Sequence, residues 1–172
     1  MDTVQKVVLI TGAARRIGSH IAERLHANGY NIVLHCNRSI NDATALVEQL
    51  NAKRNDSAIV YQAQLLNSAD LTQLAQRACS HWNRLDVLIN NASTFYPTPI
   101  DDINEEMWED LIGVNLKAPL FLCKACAPFL KESCGCIVNI VDIHASRPLK
   151  DYPVYSIAKA GLAMLTKAMA RE

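Results

Sequence analysis

Short apolar runs at Lys6–Ile10, Asn31–His35, Ala58–Gln62, Val87–Ile89 and Cys136–Val141 alternate with longer stretches whose apolar positions recur every three or four residues. The runs have the length and continuity of strands buried on both faces, and the longer stretches have the period of helices packed along one side. The helical stretches lie near Ile17–Asn28, Asn41–Lys53, Ser68–Trp82, Glu105–Leu130 and Val154–Arg171, the fourth broken near Gly113 or Pro128. Strand and helix taking turns predicts an α/β fold: a doubly wound parallel sheet with right-handed crossovers. Punctuation agrees with these breaks. Asn28-Gly29 closes the first helix, Ser68 and Asp70 suit the start of the third, and Pro97 and Pro99 mark a loop.

Length changes the picture little: 172 residues suit one domain, 1–172, with enough chain for a proper core. The stretch from Leu162 to Glu172 is still helical in pattern with no C-cap or closing strand, so the C-terminal part of the fold is expected to be missing. Charge is balanced at 17 acidic and 17 basic residues, which gives no overall field toward nucleic acid or an anionic membrane. Nucleic acid and membrane are therefore not expected as partners, and any anion selectivity is expected to be local. The first apolar run is too brief for a signal sequence or membrane span, and a cytoplasmic protein is expected. Its six cysteines would then stay reduced. Cys123, Cys126, Cys134 and Cys136 could in principle hold zinc, but an apolar helix and a buried strand are their expected places. Packed thiols, and no metal, are the reading adopted.

Chemistry enters between the first strand and the first helix. Gly12 and Gly18 flank Ala13-Ala14-Arg15-Arg16-Ile17. Glycine there permits a tight turn and close approach of backbone to a pyrophosphate, while the helix start offers unpaired N–H groups. An NAD site usually carries an acidic residue at the end of the second strand; this chain has His35-Cys36-Asn37-Arg38-Ser39. Arg38 and Ser39, with Arg15 reaching across, could instead hold a 2′-phosphate, which predicts NADPH in a Rossmann-like site.

Tyr155 and Lys159 stand four residues apart on the last predicted helix and so share a face. A phenol is a poor acid at neutral pH, and a nearby ammonium would make it a better one, ready to match a hydride with a proton. An isolated pair of this spacing is commonly a surface pair, and its meaning comes from the glycine loop upstream.

In these motifs the chain resembles the short-chain dehydrogenase/reductase family over its whole length. Thr11–Gly18 looks like the family's cofactor loop, Asn90-Asn91-Ala92 its motif after the fourth strand, Asn115 its helix asparagine, and Tyr155/Lys159 its active pair. Within that family it is most similar to the pteridine reductases: Arg16 stands where most relatives have the middle glycine, Asn91–Pro99 reads Asn-Ala-Ser-Thr-Phe-Tyr-Pro-Thr-Pro, and Asp142 takes the place of the usual catalytic serine. The resemblance implies NADPH along Gly12, Arg15, Arg16, Ile17, Gly18, His35, Asn37, Arg38, Ser39, Leu65, Asn91, Ala92, Ser93, Tyr155 and Lys159. It implies a pterin held by Arg16, Ser93, Phe95, Asp142 and Tyr155, with Phe95 stacked on the ring. Asp142, Tyr155, Lys159 and Asn115 would be catalytic: Asp142 relaying protons, Lys159 binding the ribose and lowering the pKa of Tyr155, Asn115 bending its helix and holding a water. Gln64 departs from an acidic residue common in relatives, and the family's Pro-Gly loop, lid and last strand are absent after Glu172. The expected activity is reduction of a dihydropterin or folate-type C=N bond. The alternatives are a short-chain carbonyl reductase and a non-catalytic NADPH-binding protein. Family members commonly form homotetramers through the helices at Glu105–Leu130 and Val154–Arg171.

Overall fold

The computed structural model describes residues 5–172. Five strands, β1 (Val7–Ile10), β2 (Asn31–Cys36), β3 (Ala58–Gln62), β4 (Val87–Asn90) and β5 (Cys136–Asn139), form one parallel sheet in the order β3-β2-β1-β4-β5. The order reverses direction at β1, and ligands of such sheets sit at the carboxyl ends of the strands beside that reversal. Helices α1 (Arg16–Ala27), α2 (Ile40–Lys53), α3 (Ser68–Ser80), α4 (Glu105–Ile112), α5 (Ala118–Glu132) and α6 (Pro153–Met169) complete the fold.

Two cores follow from the period of a strand, because neighbouring side chains point to opposite faces. Val8, Ile10, Ile32 and Leu34 pack with Ala22 of α1 and Leu46 and Leu50 of α2. Val7, Leu9, Val33 and Leu88 pack with Leu71 and Leu74 of α3 and Leu122, Cys123 and Cys126 of α5. This explains why Glu105–Glu132, apolar enough by composition to cross a membrane, lies against a sheet.

Two expectations need correction. β5 is not a buried strand: Cys136 is exposed and Val138 is 41% exposed, because β5 pairs with β4 alone and forms the sheet's edge. Among the cysteines, Cys36, Cys79, Cys123 and Cys126 are packed thiols, while Cys134 and Cys136 are exposed. The long helix does break at Gly113 and not at Pro128, which sits inside α5. The break is a single wide π turn, Gly113–Lys117, between α4 and α5. A Cβ on Gly113 would overlap Leu66 Cδ2, so glycine permits that approach.

Candidate active site

The glycine loop is tied down by partners far away in sequence. Thr11 Oγ1 accepts from the N–H groups of Asn91 and Ala92, each at 3.0 Å, and Asn91 Nδ2 donates to Thr11 O at 2.8 Å and Gly12 O at 3.1 Å. His35, 1% exposed, receives the Gly12 N–H on Nδ1 at 3.2 Å, while its Nε2 lies 3.1 Å from Ala63 O. A carbonyl only accepts, so Nε2 carries the proton and the ring is neutral. One imidazole thus fixes the loop to β2 and to the segment after β3.

Burial holds the His35 pKa down to about 4, against an ordinary value of 6.5. Since the folded value is depressed, the neutral ring's contribution is complete above pH 6.5 and is lost as pH falls toward 4. At about 1.4 kcal/mol per pH unit this amounts to roughly 3 kcal/mol. Denaturant titrations across that window should show the loss in the wild type, and His35→Gln should remove that component.

Glycine is required twice in the loop. Gly12 has φ +62°, and a Cβ there would lie 2.9 Å from Ala92 Cα. At Gly18 a Cβ would overlap Gly12 O and approach Asn91 Nδ2 to 2.7 Å and Ala13 Cα to 2.8 Å. Arg16 sits at φ +53°. Left-handed backbone costs an L-residue about 1–2 kcal/mol, so the guanidinium is carried at the expense of strain. Arg16→Gly should therefore raise stability by about 1 kcal/mol, read as a shift in the urea midpoint. If the side chain contacts substrate, the same variant should raise the substrate KM.

From this loop runs a cavity of about 720 Å³, within the range of small-molecule sites. Of the expected nucleotide residues, it is lined by Gly12, Arg15, Arg16, Ile17, Gly18, His35, Asn37, Arg38, Leu65, Asn91, Ala92 and Ser93. Ser39 does not line it and sits instead at the N-cap of α2. Tyr155 and Lys159 also lie outside that lining; Tyr155 neighbours it through Ser93. The sequence reading missed Leu66, Thr94, Asp110 and Val114, which arrive from two loops, from α4 and from the π turn without a motif of their own. Gln64 lines the cavity as well.

The cradle fits a dinucleotide: side chains are excluded at Gly12 and Gly18, and α1 begins with no side-chain cap and no acidic residue in its first turn. Arg38 has no ion-pair partner among the described residues. Arg15 does have one, Asp42 of α2, at 2.6 Å, so its expected hold on a 2′-phosphate must be shared with that carboxylate.

Beyond Ser93 lies the second group of residues. Tyr155 donates from its hydroxyl to Asp142 Oδ2 at 2.9 Å, and Asp142 Oδ1 accepts from the His144 N–H at 3.0 Å. Lys159, 3% exposed, donates from Nζ to Ile140 O at 3.0 Å and stands 5.7 Å from the centre of the Tyr155 ring. Asn115 Nδ2 donates to Leu111 O at 2.9 Å and Thr94 O at 3.0 Å, and Asn115 Oδ1 accepts from Ser93 Oγ at 2.6 Å. The π turn around Asn115 agrees with the bend expected of its helix, and it places that amide between α4 and the loop after β4.

The expected electrostatics are reversed in one respect. Lys159 does not lower the Tyr155 pKa; burial, the hydrogen bond to Asp142 and that carboxylate's charge push it up to about 12, with Ser93 pulling weakly the other way. Asp142 lies below its ordinary value through the His144 N–H, the Tyr155 hydroxyl and the nearby His144 and Lys159 charges, against an opposing effect of burial. The ammonium's field thus falls on the carboxylate. The resting pair is an ionised Asp142 holding a protonated Tyr155.

Phe95 is 52% exposed, which excludes a core role. One face stacks on Tyr152, with centroids 4.6 Å apart and planes inclined by 14°, and Tyr155 meets it edge-on at 4.7 Å. Tyr152 carried no signal in the sequence beyond standing at the start of α6.

A parallel sheet reversing at β1 with a glycine loop before α1 has the architecture of a nucleotide-binding α/β fold. The chain belongs to the short-chain dehydrogenase/reductase family, whose model, described as "short chain dehydrogenase", matches residues 6–172. Family members use NADH or NADPH. The chain is 41% identical to pteridine reductase 1 of Leishmania tarentolae, over 96% of this chain and 71% of that protein. It is 34% identical to a 3-oxoacyl-[acyl-carrier-protein] reductase of Staphylococcus aureus, over 97% of this chain and 68% of the relative.

Proposed function

We propose that this protein is an NADPH-dependent reductase of a dihydropterin or related folate-type C=N bond. The observation that carries the reading is the 2.9 Å hydrogen bond from Tyr155 to Asp142, a carboxylate where a ketone reductase would place a serine hydroxyl. A hydroxyl suits the polarisation of a ketone oxygen, whereas a carboxylate can both accept from and return a proton to a nitrogen heterocycle. The likeness to a pteridine reductase supports the same choice.

A bound reduced nicotinamide would supply the hydride. The chain's own residues do the rest. The Phe95–Tyr152 stack offers a flat aromatic face for a conjugated ring. Ser93 and Arg16 present polar groups at the cavity wall for the ring's edge, and Tyr155 passes its hydroxyl proton to the ring nitrogen. Lys159 holds its charge beside Ile140 O, placed for a ribose hydroxyl and for steadying Asp142.

Steady-state assays of dihydrobiopterin against a panel of 3-oxoacyl thioesters and sugar ketones test the substrate class. Pterin turnover is expected; turnover of ketones alone would give the second reading, a carbonyl reductase, favoured by the 34% relative. NADPH binding without oxidation would leave a nucleotide-binding protein. For the nucleotide, kcat/KM should favour NADPH over NADH by at least about tenfold, and Arg38→Gln should erase most of that preference, as expected for loss of a charge-assisted contact of about 1.5–3 kcal/mol.

A further inference from the structure

The loop's own structure accounts for one ring nitrogen of His144, and the reaction above gives the other no role. Its Nδ1 lies 3.0 Å from Arg147 O, and since a carbonyl only accepts, Nδ1 carries a proton. In the neutral ring Nε2 is then a bare acceptor. That atom stands 3.9 Å from Asp142 Oδ1, the oxygen that already accepts the His144 N–H. Two acceptors facing each other repel, and one additional proton turns the contact into an ion pair or a hydrogen bond. Asp142 is thereby bridged, with its Oδ2 on the Tyr155 hydroxyl and its Oδ1 facing the imidazole. The ring is about one quarter exposed, so its proton can exchange with water.

From this geometry we infer that His144 is a positioning residue for proton delivery, which hands a solvent proton to Asp142 so that Tyr155 can be reprotonated after each hydride transfer. The inference rests on the reading of Tyr155 and Asp142 as the delivering pair. The balance is simple. Tyr155 loses its proton to the substrate nitrogen, protonated His144 passes its Nε2 proton to the ionised Asp142, Asp142 passes that proton on to the phenolate and is again ionised, and bulk water reprotonates His144. Without such a source, each turnover would leave a phenolate against a carboxylate, two like charges in hydrogen-bond contact. The titratable groups facing the pair are Tyr155 and Lys159 of α6. Arg147, Lys150 and Asp151, in the same loop, form no ion pair with either residue.

The test is His144→Asn, whose amide can keep the contact with Arg147 O and whose backbone keeps its N–H on Asp142, while the Nε2 position is lost. Expected are an NADPH dissociation constant close to wild type, a kcat about tenfold lower at pH 8, and a falling limb of the pH–rate profile displaced to lower pH. In His144→Gly, imidazole buffer should restore rate in proportion to imidazolium, which a packing role would not do. A readout independent of turnover is the carboxyl ¹³C titration of Asp142 in nucleotide-free protein. It should move to higher pH in His144→Asn, because the imidazole's charge is among the causes holding Asp142 down. If His144→Asn does not fold, His144→Gln takes its place in the same measurements. A wild-type rate and profile, or an unmoved Asp142 titration, overturns the inference. Tyr155→Phe and Asp142→Asn separate the two levels. If either keeps near-wild-type reduction, the delivering pair itself is wrong; if both lose it while His144→Asn does not, only the role of His144 falls.

Discussion

Tyr155→Phe will lower kcat by about 10²–10⁴-fold, the range for loss of a positioned general acid, while NADPH still binds. The ring remains to meet Phe95 edge-on, and Asp142 keeps the His144 N–H, so the fold around the site loses one hydrogen bond and no packing. The readouts are single-turnover NADPH oxidation and nucleotide fluorescence. Retention of more than a tenth of the wild-type rate would show that the proton comes from elsewhere. In the resting state the phenol's pKa is pushed up to about 12, so Tyr155 stays protonated across the working pH range. Any pH limb near neutrality should therefore belong to other groups.

Gly18→Ala is the second large effect, and it acts on binding and folding together. The added carbon has no room between Gly12 O, Asn91 Nδ2 and Ala13 Cα. Backbone borders two of those sides, so relief requires the loop to move and the Asn91 bonds to Thr11 O and Gly12 O to lengthen. Overpacking of this kind costs about 1–3 kcal/mol, and loss of the Asn91 bonds would add to it. A urea midpoint lowered accordingly, with NADPH affinity reduced by at least about 100-fold (some 2.7 kcal/mol), is the expected outcome. An alanine variant with wild-type affinity would mean that the phosphates do not approach this turn.

The alternation of apolar runs and helical stretches was enough to place all five strands and to foresee one continuous parallel sheet. The glycine loop was legible from its place between a strand and a helix, the Tyr155/Lys159 pair drew its meaning from that loop, and Asp142 was named only through the resemblance to a known family. What stayed hidden depends on distant neighbours. Nothing beside Thr11 or His35 in the sequence shows that they clamp the glycine loop across 80 and 23 positions. Arg15 looked available until α2 brought Asp42 to it. The direction of the Tyr155 shift was misjudged although Asp142 was expected in the site, because burial and the direct hydrogen bond to that carboxylate raise the phenol's pKa and neither can be read from helical spacing. Burial of β5 was overestimated because an apolar run records the hydrophobicity of a strand and not whether another strand flanks it.

That outer strand has a practical consequence. One side of Cys136–Asn139 presents backbone donors and acceptors that β4 does not use, next to the half-exposed Val138 and an accessible thiol at Cys136. Such a margin is a template for strand addition between molecules. A further strand laid along it would take up those free donors and acceptors and cover Val138.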